Sequence, residues 1–178
     1  YGYAALKSDG NIAAWGNLGE LPTGAVPNGL SDVERIFCNS GAWAALKTDK
    51  TVVAFGHGLT NNDYGGSTPG GLSNVKTIYS TQRAFAALKF DSNVIAWGHG
   101  PSGGTTPSGL SNVKTIYSTL SAYAALKNDG SVVAWGMYMG NNGASGVPLG
   151  LSNVKTIYST QHAFAALKLD GTVTAFGR

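Results

Sequence analysis

The stretch AALKSDGNIAAWG at residues 4–16 decides the fold, because the chain repeats it four more times. The later copies are AALKTDKTVVAFG (44–56), AALKFDSNVIAWG (86–98), AALKNDGSVVAWG (124–136) and AALKLDGTVTAFG (165–177). The steps between their lysines are 40, 42, 38 and 41 residues, measured at Lys7, Lys47, Lys89, Lys127 and Lys168. A period in this range is typical of modules that bury their apolar faces only against their neighbours.

A second phrase separates these copies. It reads GLSDVERIFCNS from residue 29 and GLSNVKTIYST from residues 71, 109 and 150. Its VKTIY portion alternates apolar and polar residues and is rich in β-branched types, which predicts a strand. The repeated A-aromatic-A-A-L-K and V-V-A-W/F-G segments predict two further strands. Each repeat is therefore predicted to contain three strands, and the chain to be all-β.

Short turns are predicted between the second and third strands. Three copies carry Asp-Gly there, at Asp9, Asp129 and Asp170. Asp-Gly between apolar strands predicts a tight hairpin in which both central residues take positive φ. The other two copies, Asp49-Lys50 and Asp91-Ser92, predict poorer turns. One Asp per module indicates turn chemistry rather than acid–base catalysis, which needs two carboxyl groups converging on one substrate.

Composition places the chain among globular proteins. Of its 178 residues, 43% are hydrophobic and 12% charged, so we expect a single repeat domain over 1–178. A net charge of +3 is too small to predict nucleic-acid binding, and no apolar run is long enough to insert into a membrane. The single Cys38 aligns with serines of the other repeats, which predicts an inert, small core residue. It leaves the compartment open, and we favour an extracellular or cell-surface location.

One known repeat family matches this pattern. The string VPLGLSNVKTIYSTQHAFAALKLDGTVTAFG at 147–177 resembles the repeat of the regulator-of-chromosome-condensation superfamily, closest to its short-repeat bacterial type, that of β-lactamase-inhibitory protein II. Those repeats combine P-x-x-L, V-x-x-I, A-L-K-x-D-G and V-x-A-W-G, and all four occur here in order along essentially the whole chain. The resemblance implies a β-propeller with one blade of about 40 residues per repeat, usually with seven blades.

The repeat count departs from a closed propeller. Four complete repeats begin near residues 30, 72, 110 and 151, and residues 1–16 supply an orphan hairpin. The prediction is an incomplete or oligomer-closed propeller. Three explanations stay open: a fragment of a longer propeller, closure by assembly with another copy, or an open array. We favour assembly or truncation over a self-contained monomer, because uncapped β modules expose unpaired edges.

Candidate binding residues lie where the repeats diverge, because loops carry specificity on a repeated scaffold. The segments 57–71 and 137–149 diverge most. The loop candidates are His57, Asn61, Asn62, Asp63, Tyr64, His99, Met137, Tyr138, Met139, Asn141 and Asn142. A second set precedes the second strand and is predicted to cap one face: Gln82, Arg83, Gln161 and His162. The aromatic and methionine members are types that anchor protein interfaces, and equally types that fill a groove between blades.

Other recurring residues are interpreted as structural. His57 and His99 share one repeat position, so adjacent modules should present them side by side, but no further ligands accompany them and no metal site is predicted. The repeated lysines lie near the hairpin aspartates, which predicts a solvated, paired row rather than an anion site. Core packing is the better account of Trp15, Trp97 and Trp135.

The functional prediction follows from these assignments. The sequence carries no nucleophile–base pair, metal-ligand spacing or phosphate loop in usable context. We therefore expect a non-catalytic protein without cofactor that binds another protein through its inter-blade loops. The alternatives are a glycan-binding module and a self-associating structural array of an extracellular assembly.

Overall fold

A computed structural model of the chain describes residues 2–16, 26–57, 63–137 and 146–177. Within these residues the chain forms strands joined by short turns, with one brief 3-10 helix at Gly100–Ser102. The strands are β1 (Gly2–Leu6), β2 (Ile12–Gly16), β3 (Val33–Cys38), β4 (Ala42–Lys47), β5 (Val52–Gly56), β6 (Val75–Ser80), β7 (Ala84–Lys89), β8 (Val94–Gly98), β9 (Val113–Ser118), β10 (Ala122–Lys127), β11 (Val132–Gly136), β12 (Val154–Ser159), β13 (Ala163–Lys168) and β14 (Val173–Gly177).

The strands pair in chain order into five antiparallel units. β1 and β2 form a two-stranded hairpin unit. The remaining strands form four three-stranded meanders, each with its second strand in the centre: sheet 1 (β3–β5), sheet 2 (β6–β8), sheet 3 (β9–β11) and sheet 4 (β12–β14). This arrangement confirms the predicted three strands per repeat, the extra hairpin and the all-β class. In the part of the chain that the structure describes, the row of units is not closed.

Sheets 1, 2 and 3 each pack one face, the leading face, against the unit before it and the other, the trailing face, against the unit after it. The same two names are used for the equivalent faces of the hairpin unit and of sheet 4. Between sheets 1 and 2, the trailing face supplies alanines, a leucine and a valine, and the leading face supplies larger side chains. The trailing residues are Ala42, Ala44, Leu46 and Val52, and the leading residues are Leu72, Val75, Ile78, Phe85, Ala87 and Trp97. The same two sets meet between sheets 2 and 3 and between sheets 3 and 4. The core is therefore a series of like interfaces between neighbours.

The turns between the second and third strands correct one prediction. Gly10 has a φ of +80°, but Asp9 keeps a negative φ. The N–H of Lys7 still donates to the Asn11 carbonyl at 2.9 Å, so three residues form the loop, and only Gly10 takes the left-handed conformation. The Asp9 carboxylate instead accepts a hydrogen bond from the backbone N–H of Asn11 at 2.9 Å. Its predicted role in turn chemistry is confirmed, while the two-residue turn geometry is wrong.

The two copies that lack glycine keep the same backbone. Lys50 and Ser92 each have a φ of +66°, in the region that glycine adopts without strain. A residue with a Cβ in this conformation costs roughly 1–2 kcal/mol. The turns at Lys50 and Ser92 therefore have the same shape as the glycine-containing turns and differ from them in backbone strain.

The lysine row is paired along the four sheets. Each lysine lies near the hairpin aspartate two residues later, with nitrogen–oxygen distances of 3.8, 3.3, 3.6 and 3.6 Å for the pairs at Lys47, Lys89, Lys127 and Lys168. The pKa of Asp49 is lowered mainly by hydrogen bonds from the side chain and backbone of Thr51, and less by the charge of Lys47. These exposed pairs belong to the turns and contribute little stability.

Two predicted core positions are wrong. Cys38 is exposed at the last residue of β3, beyond the apolar residues that pack between the sheets. Trp97 and Trp135 are buried as predicted, but Trp15 is 53% exposed. It lies on the leading face of the hairpin unit, which no other described unit covers. Position in the row of units therefore decides the burial of this tryptophan.

Candidate functional site

One end of every sheet collects the segments that vary between repeats. Because neighbouring strands are antiparallel, the loop after the first strand lies at the same end as the exit from the third strand. We call this the loop end. It carries the loops 39–41, 81–83, 119–121 and 160–162 and the residues directly after β5, β8 and β11, which are His57, His99 and Met137.

Backbone hydrogen bonds join the loop ends of all four sheets. The N–H of Ser40 donates to the Gln82 carbonyl at 3.1 Å, that of Gln82 to the Leu120 carbonyl at 2.7 Å, and that of Leu120 to the Gln161 carbonyl at 3.1 Å. These bonds fix the positions of the four loops relative to one another. Gln82 and Gln161 are exposed on it.

The two predicted sets of binding residues meet on this surface. Within sheet 2 the N–H of His99 donates to the Arg83 carbonyl at 3.0 Å. The equivalent bond in sheet 3 runs from the N–H of Met137 to the carbonyl of Ser121 at 2.8 Å. Residues proposed separately as loop candidates and face candidates therefore adjoin. His162 lies exposed at the same end of sheet 4.

Tyr64 lies at the junction of sheets 1 and 2. Its ring is 4.9 Å from the Arg83 guanidinium and 5.9 Å from the His57 ring. A Cβ added to Gly41 would lie only 2.7 Å from the ring, so the absence of a side chain at Gly41 makes room for it. The amide of Asn39 donates to the Tyr64 carbonyl at 2.6 Å. The side chain is thus held between the two sheets.

Tyr64 also agrees with the alternative interpretation, in which the aromatic residues of these loops fill a groove between blades. It is half-buried and packs against the apolar cluster between sheets 1 and 2. The Asp63 carboxylate accepts a hydrogen bond from the N–H of Gly65 at 2.8 Å, which shapes the turn that carries the ring. The Gly65 carbonyl in turn accepts from the Trp97 indole at 2.9 Å. The loop is therefore anchored to the core, and its tyrosine is presented on a fixed support.

The electrostatics of this junction favour a neutral imidazole at His99. The pKa of His99 is lowered first by burial and then by the Arg83 charge, while Asp63 acts in the opposite direction. Its Nδ1 lies 2.9 Å from the Ser102 hydroxyl. Within the described residues, no group of three or more His, Cys, Asp or Glu side chains is placed to hold a metal ion.

The remaining loop candidates lie outside the described residues. They are Asn61, Asn62, Tyr138, Met139, Asn141 and Asn142. Two neighbours of Tyr64 were missed by the sequence reasoning, Asn39 and Gly41. Both depart from the other repeats, which have threonine in place of Asn39 and a residue with a side chain in place of Gly41. An alignment of the short loops, position by position, would have shown that Asn39 and Gly41 depart from the other repeats.

Away from the loop end, a depression of 150 Å³ is lined in part by Pro69, Leu72, Lys89 and Ile95. Pockets for small molecules are commonly about 300–1,000 Å³, so this depression is small for such a role. Among the described residues, no helix is long and apolar enough to cross a membrane.

Comparison with known proteins identifies the fold. No family model and no curated protein matches the chain. Among solved structures, the chain is similar to the ectodomain of the Physcomitrella patens receptor kinase CR4 (TM-score 0.64, 17% identity, 99% of this chain and 49% of that chain). It is similar to Prp20p from Saccharomyces cerevisiae (TM-score 0.64, 17% identity, 99% and 55%) and to human WBSCR16 (0.59, 18%, 99% and 59%). The chain thus spans about half the length of these β-propeller-type structures, and the sheets of its described residues are not closed.

Proposed function

We propose that this chain is a non-catalytic propeller-type module that binds another protein through the loop end at the junction of sheets 1 and 2. The observation that carries the proposal is the meeting of two unrepeated side chains there, Tyr64 and Arg83, which are in contact at 4.9 Å beside His57 and the exposed Gln82. In a repeat protein the scaffold uses the recurring residues, which leaves the departures from the repeat for recognition.

The chemistry of this junction suits a protein surface. Tyrosine and arginine dominate the binding energy of many interfaces, because each combines a large apolar area with directional hydrogen bonds. The anchoring of Tyr64 by Asn39 and Gly41 reduces the side-chain entropy lost on binding. A partner that carries negative charge near the half-buried Arg83 and offers an apolar contact to Tyr64 fits the charge and shape of this surface.

The similar structures support a binding role in general terms. Prp20p was characterised together with its binding to Gsp1p and histones, and the yeast protein was also solved bound to Kap60. The repeat length of 38–42 residues supports the narrower assignment to short-repeat bacterial propellers. We extend to this chain only the class of activity, which is protein recognition without catalysis.

Selection of binders tests the proposal directly. A phage-displayed library of random peptides is panned against the full chain, and the affinities of enriched peptides are measured by biolayer interferometry. We expect Tyr64→Ala and Arg83→Ala each to weaken these peptides about tenfold or more, as truncation of an interface anchor does. Thermal unfolding of each variant confirms that the fold is retained.

Sheet 2 provides a matched control. Lys76 carries the same charge as Arg83 but is exposed on the first strand near the opposite end of the sheet. Lys76→Ala should leave the peptide affinities unchanged. Failure to enrich any binder, or binders that lose affinity with Lys76→Ala but not with Tyr64→Ala or Arg83→Ala, would contradict the proposal. Binding to a glycan array, abolished by the same two variants, would favour the glycan-binding alternative.

A further inference from the structure

The end of the sheets opposite the loop end carries a second row of lysines. We call it the turn end, because it holds the turns between the second and third strands. Lys76, Lys114 and Lys155 lie there on the first strands of sheets 2, 3 and 4, and all three are exposed. Unlike the lysines of the A-L-K segments, they form no ion pair with any described residue. Their charge therefore remains available to a partner.

Each of these lysines is the extra residue of a β-bulge. In sheet 2 the pairing with β7 skips from Val75 to Thr77, so Lys76 has no partner across the strands. The register shifts at the same point in sheets 3 and 4. A bulge interrupts the ladder of strand pairing and can aim a side chain in a new direction. The lysine therefore recurs at a position where strand pairing does not require it.

The turn of sheet 2 lies between two of these lysines. On one side, the N–H of Phe90 donates to the carbonyl of Asn74 at 3.0 Å, two residues before Lys76. On the other side, the carbonyl of Ser92 accepts a hydrogen bond at 2.9 Å from the N–H of the residue before Lys114. The turn thus has an unpaired lysine on each side, one from its own sheet and one from the next sheet.

Phe90 is the exposed apolar residue of this turn. Its side chain is 55% exposed, although the sheet that carries it is covered on both faces. At the equivalent position, sheet 1 has Thr48 and sheet 3 has Asn128. Sheet 1 also has Glu34 in place of the bulge lysine, and this carboxylate is paired with Lys50. Sheets 1 and 3 therefore lack the combination found in sheet 2, an exposed ring with an unpaired lysine on both sides.

The depression of 150 Å³ adjoins this turn. It is lined in part by Leu72, Ile95 and Lys89, the residue directly before Phe90. Lys89 is paired with Asp91 at 3.3 Å, so the positive charge of the surroundings comes from the bulge lysines. A cavity of about this volume can hold one benzene-sized group. The depression is therefore small for a ligand molecule and large enough for one apolar side chain.

Four residues form a surface that we call the turn-end patch: Lys76, Phe90, Ile95 and Lys114. We propose that this patch binds a short acidic segment of another protein that carries one apolar side chain. The carboxylates of the segment face Lys76 and Lys114, and its apolar side chain enters the depression at Ile95 beside Phe90. Opposite charge attracts the segment, and the apolar contact holds it in place. The patch lies at the opposite end of the sheets from the loop end and is independent of the function proposed for that end.

The charges of the patch determine the class and the strength of its partner. Two unpaired lysines are too few for nucleic acid, which is bound by a basic stripe or face. Exposed ion pairs and one apolar contact are weak, so we expect a Kd on the order of 1 mM for a short peptide. Peptides of this affinity are lost when a phage library is washed. Binding at the turn end therefore does not interfere with the selection of binders for the loop end.

A peptide titration followed by nuclear magnetic resonance tests this site. The isotope-labelled full chain is titrated with the capped peptide Glu-Asp-Phe-Asp-Glu, and the shifts of the backbone amide signals are measured. We expect the shifts to concentrate in residues 74–76, 89–92 and 112–114. Phe90→Ser and Lys114→Gln should each raise the Kd about threefold or more. The peptides Gln-Asn-Phe-Asn-Gln and Glu-Asp-Ala-Asp-Glu, which lack the charges and the ring respectively, should also bind more weakly by about threefold or more.

Sheet 3 offers a gain of binding and sheet 4 the matched controls. The turn of sheet 3 has Lys114 and Lys155 on its two sides but carries Asn128 instead of a ring. Asn128→Phe should therefore add a second set of shifts in this turn, while those in sheet 2 remain. Lys155→Gln removes an exposed bulge lysine outside the patch, and Leu169→Ser removes an exposed apolar turn residue. Neither control should change the Kd measured at sheet 2.

Several outcomes would overturn the proposal. Shifts that are absent at millimolar peptide, or that lie only at the loop end, exclude binding at the patch. Equal affinity for the peptide that lacks the ring would show that charge alone is recognised, as would the absence of new shifts in Asn128→Phe. Stronger shifts from an oligothymidylate than from the peptide would indicate a nucleic-acid partner in place of a protein. Each of these results leaves the proposal for the Tyr64–Arg83 junction unchanged, because that proposal is tested by its own variants.

Discussion

Sheets 2 and 4 have nearly the same sequence and different surroundings. Residues 75–98 and 154–177 differ at six of 24 positions, and strand pairing is the same in both. In sheet 2 all residues from Ala84 to Leu88 are buried, because sheet 1 and sheet 3 cover its two faces. In sheet 4 only Phe164 and Ala166 of the central strand are buried. A blade of this fold therefore supplies only half of each interface, and its stability depends on its neighbours.

Truncation of equivalent leucines should give the largest difference between the two sheets in the free energy of unfolding. Leu88 is 2% exposed on the covered trailing face of sheet 2, whereas Leu167 is half-buried on the uncovered face of sheet 4. We expect Leu88→Ala to lower the free energy of unfolding by about 2–5 kcal/mol and Leu167→Ala by about 1 kcal/mol. Urea titration followed by tryptophan fluorescence measures both. Equal losses would mean that sheet 4 is covered in solution.

Removal of an indole N–H should have the next largest effect. Trp97 of sheet 2 donates to the Gly65 carbonyl at 2.9 Å, and sheet 4 has Phe176 at the equivalent position. Trp97→Phe leaves that carbonyl without this donor, so we expect a loss of about 1–3 kcal/mol in the free energy of unfolding. Trp15→Phe, at the exposed equivalent in the hairpin unit, should change it by less than about 0.5 kcal/mol. Comparable losses in the two variants would show that the bond is not what stabilises the loop.

Exchange of the turn residues between the two sheets should change the stability of the protein in opposite directions. Ser92 holds a φ of +66° in sheet 2, while Gly171 holds +84° at the same point of sheet 4. Ser92→Gly should raise the free energy of unfolding by about 1 kcal/mol, and Gly171→Ser should lower it by about the same amount, because only glycine adopts this conformation without strain. The thermal unfolding midpoint should shift in the same direction as the free energy in each variant. Scanning calorimetry of both variants measures the pair. A shift of the same sign in both would contradict the strain argument.

Acid should weaken sheet 2 through His99. Its pKa lies below the ordinary value of 6.5, so the unfolded chain binds a proton more readily than the folded one. The free energy of unfolding should therefore fall as the pH drops through 6.5 towards the lower folded pKa, and should hold its value above that window. Urea titrations at several pH values detect the slope. His99→Gln should remove this contribution, and His162→Gln, at the exposed loop end of sheet 4, is the matched control.

Much of the fold followed from the repeat. The alternation in VKTIY and the recurrent A-L-K and W/F-G segments predicted the strands, and the five aspartates predicted turn chemistry, which Asp9 and Asp49 confirm through bonds to the residue two positions on. Local sequence determines these features because turns and strand periodicity involve residues close in the chain. The turn type was missed because the loop has three residues and not two, and its length is set by the pairing of the two strands.

The candidate site was predicted only in part. Divergence between repeats pointed to Tyr64 and Arg83 separately, as members of different sets. Their contact arises because Gly41 and Arg83 belong to neighbouring sheets that face each other across one groove. The error at Cys38 has a related origin, since alignment with serines describes a position in the repeat and not its distance from the packed faces.

The sequence by itself determined the units, their number, their strands and the residues that are apolar on each face. Only the tertiary structure decided which of those faces are buried. The segment AFAALK occurs identically at 84–89 and 163–168, yet five of its six residues are buried in sheet 2 and two in sheet 4. The physical reason is that each sheet face is buried only by the neighbouring unit that packs against it. Identical residues therefore differ in their contribution to the free energy of unfolding and in whether a partner can reach them.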